Sequence, residues 1–555
     1  MAPKRAQLGI SRVTARSTSA PLTPALSPAE AAAAYVARYR WLILLGLITA
    51  AIMEVLDTTI VNVALPQMAG NLSATHEEVA WVSTGYILSN VVFLPMTAFF
   101  TERFGRQRYL TFSIILFVVA SFFCGTSGTL IELVFWRIVQ GAGGAALLST
   151  AQATLRQIFP MEQQALVQSI FLLGVIVAPT LGPTLGGWIT DNFQWHWCFF
   201  INVPIGIASA LLVATFLKDP PDQRRHTGDI DWLGISLLTV GVGALQYVLE
   251  QGNSKDWFSS LLIVRLTILS SASLVGLLFW ELSPRNRHPV IDLKVLKNRD
   301  LTVCLALFVT LGFALYGGTF MLPLFTQTIL HFTPTETGLA LMPGGLATAA
   351  TALLCGRLLT GKQPLADARV LIGVGVLLIV AAMLRLGSLS VLSGQDDVRL
   401  ALLIRGAALG LLFAPINNVA FGSMRPSEAQ QGAGLINLSR QLGGSFGIAL
   451  LATFVTRHTQ IHRVDLISNL DAGNPLVQER LRMIGAGLAA HGYTTEAAQR
   501  AAVQVLDGQV TRQAAMLSYN DAWHLLLLSF VLVAPAILLL RKPGPRAAGP
   551  APDAH

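Results

Sequence analysis

The chain has 555 residues, of which 53% are hydrophobic and only 12% charged, with a mean hydropathy of +0.59. A soluble protein carries about 25% Asp, Glu, Lys and Arg, so this charge cannot coat a globule of such length, and the apolar content excludes a disordered chain. The 38 Lys and Arg exceed the 30 Asp and Glu by 8, yet where those cations sit matters more than their sum. A soluble enzyme and a nucleic-acid partner both fit poorly; an all-α polytopic membrane protein fits.

A helical crossing needs roughly 20 apolar residues. In chain order, the stretches bounded by charge, Pro or Gly are 41–66, 79–100, 108–126, 131–157, 165–190, 197–217, 230–250, 258–282, 301–325, 336–359, 369–391, 400–423, 430–456 and 521–541. These are fourteen predicted spans. The residues ahead of the first are rich in Ser, Pro and Thr. No cleavable signal is evident there, so the first span is expected to stay as an anchor.

Basic residues alternate along the loops. Lys4, Arg5, Arg12, Arg16, Arg38 and Arg40 precede the first span, 67–78 has none, and Arg103, Arg106 and Arg108 follow the second. Arg156, then Lys218, Arg224 and Arg225, then Arg285, Arg287, Lys294, Lys297 and Arg299, then Arg357, Lys362 and Arg369 continue the basic side. The intervening loops 191–196 and 326–335 have no Lys or Arg, and the loop between the seventh and eighth spans has Lys255 alone. Cytoplasmic loops carry such an excess, which places both termini in the cytoplasm.

The predicted organisation is a cytoplasmic tail 1–40, a six-helix bundle 41–217, two inserted helices with linkers over 218–300, a second six-helix bundle 301–541, and a tail 542–555. A repeat supports it. Phe135-Trp136-Arg137 runs to Phe159-Pro160-Met161-Glu162, and Leu403-Ile404-Arg405 runs to Arg425-Pro426-Ser427-Glu428, with Arg, Pro and Glu at offsets of 268, 266 and 266. Duplicated halves rock about a central site in alternating access. The polar segment 457–520 breaks the short-loop pattern and falls on the outer face; 475–490 and 495–517 within it have helical periodicity, each with one apolar face. It serves either as a cap on the membrane domain or as a docking surface for another subunit.

Ionisable groups inside a span are costly and usually functional. The first span holds Glu54 and Asp57, whose spacing of three puts both carboxylates on one face. Two acids in a weakly hydrated site resist joint ionisation, which suits a proton carrier; the competing role for Asp57 is a fixed hydrogen bond to a neighbouring helix. Arg137, about two turns into the fourth span, needs an anionic or carbonyl partner, either as a coupling element that responds to titration or as a static tie. Arg440 is the deep cation of the thirteenth span, and Arg405 is shallower.

The fifth span, Gly174 through Pro179, Gly182, Pro183, Gly186 and Gly187, has small residues at spacings of four and two prolines, the composition of a hinge or close-packed gasket. Gly141, Gly143 and Gly144 make a similar face on the fourth. No strand precedes either run, so neither is a dinucleotide fingerprint. His458 and His462 stand four apart without the Glu of a zinc-protease motif and read as surface histidines; no metal or cofactor is expected. Cys124 and Cys198 fall near outer helix ends, where a disulfide is an open alternative to free thiols. No Gly-x-x-x-x-Gly-Lys-Ser/Thr loop exists, so uphill transport would use an ion gradient.

Leu56-Asp57-Thr-Thr-Ile-Val-Asn-Val-Ala-Leu-Pro66 resembles the first-helix motif of the fourteen-helix drug:proton antiporters of the major facilitator superfamily. Arg137-Ile-Val-Gln140-Gly141 is similar to their fourth-helix motif, Gly182-Pro183-Thr-Leu-Gly186-Gly187 to their antiporter motif, and Trp195-His-Trp-Cys-Phe-Phe-Ile-Asn202-Val-Pro204 to the stretch that follows. The likeness extends over roughly 41–541 and is greatest to the EmrB-type multidrug exporters. Their motif between the second and third helices departs here: Ala98, Phe100, Thr101 and Glu102 replace its first, third, fourth and fifth residues, while Arg103, Gly105, Arg106 and Arg108 keep the rest.

The resemblance implies proton-driven export of hydrophobic, toxic compounds from a bacterial inner membrane. It further implies a membrane-fusion adaptor and an outer-membrane channel, with 457–520 as the candidate adaptor contact. It makes Asp57 and Arg137 the proton-coupling pair, to which Glu54, an acid one turn from the motif, adds a second titrating candidate, and it makes Glu102, Arg103, Gly105, Arg106 and Arg108 the conformational gate. Asn62, Asn90, Gln140, Gln152, Asn417, Asn437 and Arg440 are candidate cavity residues, with inter-helix bonding as the alternative. The rival functions are a narrow exporter of one metabolite, fatty acid or siderophore, a membrane-embedded enzyme, for which no nucleophile or cofactor site is seen, and a sensor without transport.

Overall fold

A computed structural model describes residues 28–219, 231–286, 289–291, 293–359, 365–425, 428–468, 470–471 and 473–540. Lys4, Arg5, Arg12, Arg16, Arg224, Arg225, Arg287 and Lys362, with Pro426 and Ser427 of the repeat and the tail 542–555, lie outside them.

The described chain is helical from end to end. The helices are α1 (Pro28–Asn71), α2 (Trp81–Phe104), α3 (Arg106–Thr126), α4 (Leu130–Ile158), α5 (Met161–Asn192), α6 (Trp197–Phe216), α7 (Trp232–Gln251) and α8 (Leu261–Glu281). They continue as α9 (Arg299–Ile329), α10 (Pro334–Leu359), α11 (Ala368–Leu386), α12 (Gln395–Ser423), α13 (Ala429–Ser468), α14 (Pro475–Ala490) and α15 (Thr495–Val533). All but α14 are long and apolar enough to cross a membrane, giving fourteen spans among the described residues. The protein is a multi-pass all-α membrane protein.

Polar residues mark where the helices start. Thr129, Asp231, Asn298, Asp367 and Asn474 each accept a backbone N–H from the first turn of α4, α7, α9, α11 and α14, satisfying donors that a helix cannot pair internally. Between these caps the spans are apolar on nearly every face. Phe112, Ile115 and Val119 of α3 and Ile268, Val275 and Phe279 of α8 point outward, which is stable only in a lipid surround.

Two cores organise the bundle. Ile43, Leu47, Met53, Phe117, Leu147, Phe171 and Phe199 belong to the first-half core. Phe308, Ile379, Phe413 and Trp523 belong to the second, which also takes in Ala153, Ala165 and Leu172 from the first half. A third cluster joins Val91 and Met96 of α2 to Leu238 and Val242 of α7 and Leu277 of α8, with Leu435, Leu438 and Leu442 of α13 against it. Helices α7 and α8 therefore pack where α2 and α13 meet. The Trp257 indole donates to Thr453 Oγ1 at 2.8 Å, a second tie to α13.

Beyond the bundle, α13 runs to Ser468 and α15 starts at Thr495, so the expected span limits of 456 and 521 fall inside continuous helices. Polar sequence ends a membrane span without ending a helix. α14 packs against the α15 extension through Gly485, Ala498 and Ala502. The helices expected over 475–490 and 495–517 are present as α14 and the start of α15, and the polar connection is a helical projection rooted in two spans.

Gly141 brings α4 onto α2: a Cβ there would press on the Tyr86 carbonyl oxygen and come within 3.2 Å of the Asn90 nitrogen, both backbone atoms. Among the described residues nothing lies within 4 Å of such a Cβ on Gly187. Gly141→Ala is therefore expected to destabilise by about 1–3 kcal/mol, seen as a lower melting temperature of the purified protein, while Gly187→Ala leaves it unchanged.

Candidate proton and cargo site

Asp57 lies at the centre of the first half and is 1% exposed. Its carboxylate accepts from Arg137 Nη1 at 2.5 Å, from Gln140 Nε2 at 3.1 Å and from Asn202 Nδ2 at 2.8 Å. Arg137 is oriented by its own contacts: Nε donates to the Val82 carbonyl at 3.0 Å and Nη1 also reaches Gln140 Oε1 at 2.7 Å. Its guanidinium stands 4.3 Å from the Tyr86 ring centroid and 5.6 Å from that of Phe199. Asn202 is steadied by Ser121 Oγ at 3.1 Å, which itself donates to the Phe199 carbonyl at 2.9 Å. Five helices, α1, α2, α3, α4 and α6, thereby meet at one carboxylate.

The antiporter-motif glycines hold α5 along the same part of α1. A Cβ on Gly174 would meet Ile52, on Gly182 the Thr59 side chain, and on Gly186 the Ile60 carbonyl oxygen at 2.9 Å. These contacts bracket Asp57. Pro179 is buried on α5, and the helix runs unbroken through both prolines, Pro179 and Pro183.

Glu54, one turn earlier, is 9% exposed and lies within electrostatic reach of Asp57, of Asn90 on α2 and of Arg440 on α13. The second carboxylate thus faces the opposite half. Arg440 donates to Asn437 Oδ1 at 3.0 Å, and Asn437 Nδ2 donates to Gln152 Oε1 at 2.9 Å. Gln430 Nε2 adds a bond to Thr150 Oγ1 at 3.2 Å. These bonds join α4 to α13 across the seam, on the side of the bundle where α4 carries Arg156.

The cavity candidates divide accordingly. Gln152, Asn437 and Arg440 come together at the seam. Asn90 and Asn417 are buried, at 1% and 0% exposure, Asn90 beside Glu54. Two candidates show the inter-helix bonding that stood as the alternative. Gln140 is a ligand of Asp57 and Arg137 rather than a cavity wall, because its position one turn after Arg137 aims it at α1. Asn62 is exposed and accepts from Ser83 at 2.7 Å near the far end of α1.

At the basic end, Gly105 has φ +87°, a left-handed value suited to glycine, and a Cβ there would meet Asp219 Oδ2 at 2.5 Å. Arg106 approaches Asp219 at 3.9 Å and bonds Gln157, while the Gln107 N–H donates to Asp219 at 3.0 Å. Glu102 and Arg103 are half-buried and Arg108 is exposed. The first turn of α3 is therefore tied to the chain beyond α6 by Asp219, an acid that the local motif does not contain.

Asn202 and Ser121 escaped the sequence reading as site residues. Asn202 had a signal, an amide within an otherwise apolar stretch, whereas Ser121 has none that distinguishes it from any serine in a span. All four cysteines are free, and Cys124 lies 3.8 Å from Gln140 Oε1. His462 meets Asp521 at 2.7 Å and His458 stacks on Phe454, so the two histidines serve different contacts.

Residues 17–448 match the model of the Major Facilitator Superfamily. The chain belongs to this superfamily. It is 31% identical over 506 residues to the multidrug export protein EmrB of Haemophilus influenzae, covering 90% of this chain and 96% of that one. It is 32% identical to Escherichia coli EmrB, with 92% and 97% covered, and 32% identical to the fatty acid resistance protein FarB of Neisseria gonorrhoeae, with 90% and 96% covered. Among solved structures, the proton:xylose symporter XylE aligns with a TM-score of 0.54 at 13% identity over 88% of this chain and 95% of that one, a likeness of fold. As a major facilitator, the chain is a transporter by family, and its Asp57 cluster lies in the first of two bundles.

Asn202→Ala leaves Asp57 with one donor fewer in a buried site. The expected loss is about 1–3 kcal/mol, read as a lower melting temperature, and Asn202→Asp should lower it further by setting a second acid against the first.

Proposed function

We propose that this protein exports hydrophobic drugs and other toxic compounds from the cytoplasm or inner leaflet of a bacterial inner membrane in exchange for protons. The buried Asp57–Arg137 pair carries this reading. A permanently charged guanidinium holds Asp57 ionised while α1 and α4 are in register; if rocking of the halves separates them, the carboxylate is left in a poorly hydrated site and takes up a proton. Return of Arg137 expels it. Glu54, near Asp57 and opposite Arg440, is placed to link that event to the seam between the halves, where cargo would bind.

The names of relatives support the cargo class: two are multidrug export proteins and one confers fatty acid resistance. The last keeps a narrow exporter of one hydrophobic acid as the second reading. In the orientation we infer from the basic loops, both termini are cytoplasmic and the α13–α14–α15 projection lies outside. The bonds between α4 and α13 then close the cytoplasmic side.

The projection exposes Leu476, Met483, Tyr493 and Val503 at 78%, 54%, 51% and 57%, beyond the helices' membrane spans. We assign it the contact with a membrane-fusion adaptor that leads to an outer-membrane channel. The double variant Leu476→Glu with Met483→Glu should abolish resistance in whole cells while transport by the protein in vesicles persists; resistance equal to wild type would remove the assignment.

The central test is growth of a susceptible host on a panel of dyes and antibiotics, with wild type and Asp57→Asn. Broad resistance that the variant loses supports proton-driven multidrug export. Protection against a single compound would favour the narrow exporter, and full resistance with Asp57→Asn would refute the proton role.

A further inference from the structure

The repeat places Arg405 of α12 where the first half has Arg137, but the two cations differ in their partners. Arg137 meets Asp57 on α1. Arg405 faces α9, whose only acid is Asp300 at its start. Its Nη2 donates to the carbonyls of Ala314 at 3.0 Å and Leu315 at 3.5 Å, and Gly318 makes room for it, since a Cβ there would come within 2.5 Å of Nη2. Arg405 is 8% exposed, its Nε–H finds no acceptor, and no carboxylate pairs with it among the described residues. A buried guanidinium cannot shed its charge, and two carbonyl dipoles do not neutralise it. Such a group calls for an anion.

A cavity of about 50 Å³ opens beside it, bounded by Pro179 of α5, Thr319 of α9, Leu341 and Thr348 of α10, and Leu409 of α12. About 15 Å³ suffices for one water, so a head group of a few heavy atoms fits and a whole drug does not. Along the same helices Phe320, Leu324, Met342 and Leu346 point outward, at 38%, 41%, 48% and 58% exposure. An apolar chain leaving the cavity therefore has an exposed apolar surface to follow.

We propose that Arg405 and this cavity bind the carboxylate of a single-chain hydrophobic acid, with its tail along the outward faces of α9 and α10. A carboxylate offers two acceptors to the guanidinium edge and is small enough for the space. Calling this ligand cargo rests on the export reading; its binding does not.

The test uses the full-length protein in nanodiscs of phosphatidylcholine and measures equilibrium binding of radiolabelled dodecanoate at pH 8, without a proton gradient. Saturable binding is expected, with no competition from methyl dodecanoate, which lacks the charge. Arg405→Gln should weaken it at least about tenfold, the scale of one lost charge-assisted hydrogen bond. Leu341→Trp, which fills the cavity and leaves Arg405 in place, should weaken it similarly, and it decides the matter if Arg405→Gln does not fold. Absence of saturable binding to wild type, or wild-type affinity in Leu341→Trp, would overturn the proposal. So would displacement of dodecanoate in nanodiscs containing phosphatidylglycerol, since the site would then belong to a lipid phosphate. Because no gradient is applied, failure here leaves export through Asp57 standing.

Discussion

A carboxylate and a guanidinium buried together at 2.5 Å set the constraint on which the first bundle is arranged. Removing either partner from such a pair leaves an uncompensated charge, at a cost of about 3–5 kcal/mol. The surrounding structure keeps both satisfied: Gln140 and Asn202 complete the acid, and Val82 and two aromatic rings complete the base. The glycines of α5 press that helix against α1 on both sides of Asp57. The acid is thereby built into a helix–helix contact, and a change in its charge is felt as a change in packing.

The second half lacks that arrangement. Its repeat cation, Arg405, rests on backbone carbonyls beside a small cavity, whereas Arg440 lies toward the seam, near Glu54 and joined through Asn437 to Gln152. Among the described residues the buried acids are Glu54 and Asp57 on α1 and Asp231 and Glu281 at α7 and α8, and none lies beside Arg405. Helices α7 and α8 contact both α2 and α13, so they bridge the two hydrophobic cores.

The spans were legible because hydropathy and basic loops encode them directly, and Asp57 and Arg137 because a charge inside a span stands out. The rest depended on contacts over long sequence separations. Asp219 lies 113 residues from Arg106, and no local pattern links them. Gln140 was seen, but a single helix does not say whether an amide turns toward a neighbour or a cavity. Asn62 belongs to the same motif as Asp57, yet five residues along α1 carry it toward an exposed end. The projection of α13 and α15 was half visible: its periodicity was plain, and its continuity with the spans was hidden by the change from apolar to polar composition.

The account is tested most directly by following the proton itself. Purified protein in weakly buffered detergent, monitored with a pH indicator while a cationic dye cargo is added, should release protons on binding, and Asp57→Asn should release none while Glu54→Gln still does. Release that persists undiminished in Asp57→Asn, or that disappears only in Glu54→Gln, would contradict the assignment of exchange to Asp57.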